Sequence, residues 1–158
     1  MMAEGQNMVH TWPAGWVELA DQGGFSVGYR FADGTEDGTT IDVTTGSAAR
    51  AGAYIVQCFT GGSFAAPQQA NASFSNTDAA DPPSLSPTWP QADMTVCAVA
   101  MCNNTSGDCA GVFPTNYSDN QLTYANSGGG LAGIINFATR EINAASEDPG
   151  AYPILGAG

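Results

Sequence analysis

"GLAGIINFATREINAAS" (residues 130–146) is the stretch on which the reading of the whole chain turns. It is long enough for a helix. Yet Ile134, Ile135, Phe137 and Thr139 are β-branched or aromatic, and such side chains fit a pleated surface better than a helical one. The run also opens on "SGGG" (127–130), whose glycines do not favour a helix. We therefore expect one long strand here, with room for a bulge.

The rest of the chain falls in with that reading. In "GFSVGYRF" (24–31), Phe25, Val27, Tyr29 and Phe31 alternate with Ser26, Gly28 and Arg30, the period of a half-buried strand. "TTIDVTT" (39–45) repeats the alternation with Ile41 and Val43. "ADGTEDG" (32–38) between them has turn chemistry, so the two runs are expected to form a hairpin. "ARAGAYIVQCFT" (49–60) and "DMTVCAVAMC" (93–102) are apolar enough for central strands. Tyr29, Ile55, Val96, Val99 and Phe137 are the expected core.

Residues 60–90 hold five of the nine prolines. Proline lacks the amide donor a central strand needs. This segment is expected to be a long surface excursion, with short edge strands at "ASFS" (72–75) and "SLSPTW" (84–89), and a loop of that length usually has a task such as gripping a neighbour. Near the end, "SEDPG" (146–150) is expected to make a tight turn through Asp148, Pro149 and Gly150, with Gly150 at positive φ. The turn would return "AYPIL" (151–155) to the sheets.

Several strands spaced by Gly, Pro and Asx turns predict an all-β chain folded as a single antiparallel β-sandwich with long Pro-rich loops. Jelly-roll and immunoglobulin-like strand orders both fit, although the Cys…Trp…Cys hallmark of immunoglobulin domains is not evident. No composition break marks a second domain. Residues 1–11 are expected to be a flexible segment and 12–158 the sandwich.

The chain has 158 residues, 43% of them hydrophobic, which suits one globular core. Its 15 acids face three arginines and no lysine, for a net charge of −12. Nucleic acid and anionic membranes would be repelled. The acidic surface is read as a solvated one, with a saline habitat as the sharper alternative. No apolar stretch reaches the roughly 18–20 residues of a membrane helix. The N-terminus lacks a basic region followed by an apolar core, so it is not expected to be a secretory signal, and folding in a cytosol is expected.

The chemistry-bearing residues are few. His10 is the single histidine, in the segment expected to be mobile, which disfavours a catalytic triad. Asp33, Glu36 and Asp37 form one acidic cluster and Glu147 with Asp148 another. Both are read as solvated turn residues. "DGTEDG" remains a calcium candidate through Asp33, Glu36 and Asp37, although its spacing is not that of an EF-hand. Cys58 and Cys97 lie in apolar runs and are expected to be buried free thiols. Cys102 and Cys109 flank "NNTSGD" and can close a disulfide in oxidising surroundings. Their spacing does not suit zinc. "SGGG" lacks the Lys and Ser/Thr of a phosphate loop. Trp12, Trp16 and Trp89 can stack on a sugar ring or wedge a sandwich closed. No catalytic residue and no cofactor is assigned.

Four segments, in order, resemble a family of β-sandwich modules in virion structural proteins of tailed phages and prophages. They are "WPAGWVEL" (12–19), "YRFADGTEDGTTIDVTT" (29–45), "DPPSLSPTWPQADMTVCAVA" (81–100) and "FATREINAASEDPGAYPI" (137–154). "PTNYSD" (114–119) fits the family's Pro-x-Asn-Tyr stretch. Such modules commonly begin with an extra apolar strand, whereas residues 1–11 here are polar or mixed. The resemblance implies a non-enzymatic bacteriophage virion protein, either a capsid decoration (cement) protein or a tail-fibre-associated one. It also implies the major capsid protein or other virion proteins as partners. A homo-oligomer, most simply a trimer, is expected from the symmetry of such particles. The expected location is the virion, after synthesis in the host bacterial cytoplasm. Adhesion to host glycan is the alternative, and hydrolysis of surface polysaccharide a third.

Overall fold

Residues 132–144 form one continuous strand, as their composition predicts. Among the described residues it is the last of nine: β1 (Met2–Glu4), β2 (His10–Thr11), β3 (Val17–Gln22), β4 (Phe25–Tyr29), β5 (Thr44–Thr45), β6 (Gly52–Tyr54), β7 (Ala92–Cys102), β8 (Ser118–Asn126) and β9 (Ala132–Ala144). The structure is a computed structural model that describes residues 2–4, 8–46, 52–61, 65–70, 80–102, 112–126 and 132–152. Among the described residues there is no helix, and every strand pairing is antiparallel.

β9 is the middle of a three-stranded sheet, β7-β9-β8. Residues 133–139 are all buried, which explains why their sequence reads as an apolar run rather than an alternation. The β7–β9 register is unbroken from Ala92↔Ala144 to Cys102↔Ile134. The irregularity lies in β8 instead, between Ser118 and Gln121. Asp119 there takes φ +50°, and its Oδ2 accepts a 2.8 Å bond from Thr139 Oγ1. An Asx residue tolerates that backbone better than most.

The two faces of this sheet meet different neighbours. On one, Ile135 and Phe137, flanked by half-buried Val99 and Met101, pack against Ala53, Ile55 and Phe25. On the other, Ala98 and Ala100 leave room for Tyr152, which packs with Phe113, Tyr117 and Ala80. Tyr152 is fully buried and its hydroxyl donates to the Ala98 carbonyl at 2.8 Å. Of the expected core, Ile55, Val96 and Phe137 are buried, while Tyr29 and Val99 are half-buried.

Phe25 and Ala53 belong to a second sheet, β3-β4-β1-β6. The partners of β4 are β3 and β1, not residues 39–45 as expected. Gln22 pairs with Phe25 across Gly23 and Gly24, at φ +57° and +89°. These are the angles of a two-residue type I′ turn, whose twist matches that of the strands it joins. Thr44–Thr45 pairs instead with His10–Thr11 in a separate small sheet. β6 is an edge strand rather than the central one expected from 49–60. In the N-terminal segment expected to be flexible, Met2–Glu4 lies between β4 and β6, and Met8 and His10 are buried.

The turn expected at Asp148-Pro149-Gly150 is absent, and Gly150 is not at positive φ. The segment runs extended beside residues 80–85. Leu85 and Glu147 exchange backbone bonds of 2.7 and 2.9 Å, and Tyr152 N–H reaches the Ala80 carbonyl at 2.7 Å. Both bridges are antiparallel, and Pro82, Pro83 and Pro149 lie in the stretches between them. Prolines have no N–H to give, so this ladder is closed at its ends and open in the middle. Of the edge strands expected in 60–90, "SLSPTW" contributes the single bridge at Leu85, and "ASFS" lies outside the described residues.

Cys58 and Cys97 are free but exposed, against expectation. Alternation places Cys97, opposite Thr139, on the face of Val99 and Phe137 that meets the second sheet, and there it remains exposed, although its surroundings push the thiol pKa up to about 11 through desolvation. Cys109, and the side chain of Cys102, lie outside the described residues.

Phe137→Ala should cost about 3–5 kcal/mol in chemical denaturation. Gly150→Ala should change stability by less than about 0.5 kcal/mol, because an added Cβ meets nothing within 4 Å. A larger loss would restore the positive-φ turn.

Candidate functional site

The segment "WPAGW" (12–16) forms a strap across the outer face of the second sheet. Pro13 to Trp16 closes a turn, with Trp16 N–H on the Pro13 carbonyl at 3.1 Å and Gly15 at φ +87°. "PTNY" makes the same kind of turn: Tyr117 N–H reaches the Pro114 carbonyl at 3.3 Å, with Asn116 at φ +68°. Gly and Asn are the residues that accept such a φ at the third position. Both motifs thus use a proline turn to aim an aromatic ring.

The strap is held by polar bonds beneath it. His10 N–H donates to Asp21 Oδ2 at 3.0 Å, and His10 Nδ1 lies 3.0 Å from Asp21 Oδ1. Trp12 Nε1 donates to the buried Ser26 Oγ at 2.7 Å. The Trp12 ring lies so close to Gly28 that a Cβ there would sit 2.6 Å from it. Trp16 stacks on Trp12 at 5.4 Å and 26°. Trp12 therefore acts as a wedge. Trp89, also half-buried, follows Thr88, which exchanges hydrogen bonds of 2.6 and 2.9 Å with Gln68.

Beside the strap, Arg30 organises the acidic turn. Its Nη2 lies 3.0 Å from Asp33 Oδ2 and 3.3 Å from Glu36 Oε1. Further acceptor sites are filled by the chain itself. Glu36 accepts the amides of Asp33 and Gly34, both at 2.9 Å, and Asp33 accepts the amide and hydroxyl of Thr35 at 3.0 and 2.5 Å. These bonds hold both carboxyls below the usual carboxylate range, through Thr35 above all for Asp33 and the Asp33 amide for Glu36. The calcium candidate thus has two of its three acids together, but Arg30 occupies the place between them that a cation would need. Asp37 takes no part in these bonds. Among the described residues, no group of three His, Cys, Asp or Glu side chains is placed to hold a metal.

Pro13, Trp16, Arg30, Glu36, Thr39 and Ile41 line a shallow hollow of about 200 Å³ between strap and turn. One aromatic ring, an ion pair and hydroxyls meet there.

The second acidic cluster is separate. Glu147 Oε1 accepts Arg140 Nη1 at 2.5 Å and the Tyr117 hydroxyl at 3.2 Å. Its side chain is only 10% exposed, so it is not the solvated turn acid expected. Burial, and then the Glu147 charge, push the Tyr117 phenol far above its ordinary pKa, so it stays a donor. Asp148 does not share this cluster. Sequence reasoning missed the His10–Asp21 tie and the Arg140–Glu147 pair. The available signal was scarcity: with three arginines and one histidine in the chain, each positive group was a candidate for an internal tie.

No protein-family model, curated protein or solved structure matches this chain.

Glu147→Gln should cost about 1–3 kcal/mol in urea denaturation, less than a fully buried pair because Arg140 is 34% exposed on its side chain. For the exposed turn the sign follows from the depressed pKa values. The stabilisation is present above the ordinary carboxylate pKa and is lost as pH falls through the lowered ones. The amide NMR signals of Gly34 and Thr35 should therefore hold their positions on acidification through the ordinary range and move only below it.

Proposed function

We propose that this chain is a single antiparallel β-sandwich acting as a non-enzymatic bacteriophage virion structural protein. The most direct role is a capsid decoration or cement protein that seats as a homo-oligomer on the major capsid protein. The two larger sheets meeting through Phe137, Ile135, Ala53 and Phe25 support the sandwich reading. The observation that carries the functional reading is where the family-like residues go. Trp12 wedges the second sheet, Arg30 ties Asp33 and Glu36, residues 80–85 run beside 147–152, and Arg140 ties Glu147. These residues hold strands and turns in place. A hydrolase needs paired carboxylates free to handle protons, whereas Asp33, Glu36 and Glu147 are committed to arginines.

Adhesion to host glycan is the second reading, favoured by the hollow in which Trp16 meets Glu36 and the Thr39 hydroxyl. Stacking on an indole with hydrogen bonds at the ring edge is how a sugar would sit there.

Quantitative mass spectrometry of purified virions tests the first reading. A copy number comparable with that of the major capsid protein is expected for decoration. A few copies per particle would move the protein to the tail, and its absence from virions would overturn the proposal. In glycan-binding assays, retention lost on Trp16→Ala would favour adhesion.

A further inference from the structure

The outer face of the four-stranded sheet is unevenly covered. Ser26 and Tyr54 both stand opposite Met2 in the register, on its two neighbouring strands. Paired residues share a face, so both side chains project to the outer side. Over β4 the strap covers that side, and Ser26 is 0% exposed. Over β6 nothing comparable is found among the described residues, and Tyr54 is 71% exposed. Two residues on, Val56 is 62% exposed, and Phe59 follows at 54%. Ala53 and Ile55 between them face the core. The usual rule for a sheet with one solvated face is apolar inside and polar outside. Here both sides of the run are apolar.

Charge indicates what covers it. Arg50 and Asp78 bracket residues 51–77, in which no charged residue occurs, within a chain of net charge −12. Copies of such a chain repel wherever their acidic surfaces face each other. They can meet without that repulsion on a neutral strip, and interface cores are depleted of charge and enriched in aromatic side chains. A basic partner would instead be drawn to the acidic surfaces.

We infer that Tyr54 and Val56 form the centre of a self-association surface whose occupant is a second copy of this chain. The inference deepens the homo-oligomer part of the proposed function. It does not depend on the virion assignment, because the purified chain alone tests it.

The test is size-exclusion chromatography with light scattering on the full chain, comparing wild type with Val56→Glu, Tyr54→Glu and Thr115→Glu. Thr115 is exposed in the turn after Pro114, beside the Phe113–Tyr117 side of the core, and controls for added charge. Wild type should run at a whole multiple of its 16.1 kDa protomer mass. Its association should strengthen with added salt, which screens acidic repulsion. Val56→Glu and Tyr54→Glu should weaken association by at least about tenfold, since each would bury an unpaired charge. Thr115→Glu should behave as wild type. Val56→Thr, a milder change, should weaken association measurably with an unchanged circular dichroism spectrum, so a misfolded Glu variant would not blur the outcome. A monomeric wild type, an unaffected Val56→Glu, or equal dissociation by Thr115→Glu would overturn the inference. Association that falls with salt would also overturn it. Virion copy counts are a separate measurement, so failure here and failure of the virion reading are distinguishable.

Discussion

β9 is buried on both faces over residues 133–139, and the rest of the fold is arranged to keep water from it. One face needs aliphatic and aromatic cover, supplied by Phe25, Ala53 and Ile55 from the second sheet. On the other, the neighbouring β7 carries Ala98 and Ala100, and the space above them is filled by one large ring, Tyr152. A small residue on a strand is useful only if something large arrives to fill the gap. Tyr152 can arrive because its segment runs extended beside residues 80–85 and does not turn away.

That arrangement gives the prolines a structural meaning. Pro82, Pro83 and Pro149 fall in the middle of the pairing between residues 80–85 and 147–152, where no amide is offered. The ends carry the hydrogen bonds, at Leu85–Glu147 and Ala80–Tyr152. A strand edge without donors cannot template further pairing. A long surface run can therefore lie against the core without becoming a sticky edge.

The charge distribution follows a related economy. Against 15 acids the chain has three arginines. Arg30 and Arg140 are both spent on carboxylates of their own chain, and Arg50 lies outside the described residues. The other acids are left to give the surface its sign. The neutral apolar run through Tyr54 and Val56 stands out against that background, and the two features together shape how copies can approach.

Local physics made part of this legible in advance. β-branched and aromatic residues marked β7, β9 and β4 as strands, because side-chain fit to a pleated surface depends only on the residues present. The Gly23-Gly24 turn was equally local, but its two-residue spacing went unread, and the hairpin was expected with residues 39–45 instead. Partner choice was not local. Nothing in "TTIDVTT" says that Thr44–Thr45 will pair with His10–Thr11 rather than with β4; both edges of β4 are taken by β3 and β1, a matter of which distant segments the fold brings together. The same holds for "SEDPG". Its residues suit a turn and an extended run alike, and the Leu85 amide and carbonyl and the Ala80 carbonyl decided for the latter. Glu147 and Asp33 looked alike as acids near glycines. Burial beside Tyr117 and exposure beside Thr35 separated them, and only the tertiary structure sets how much water each carboxylate keeps.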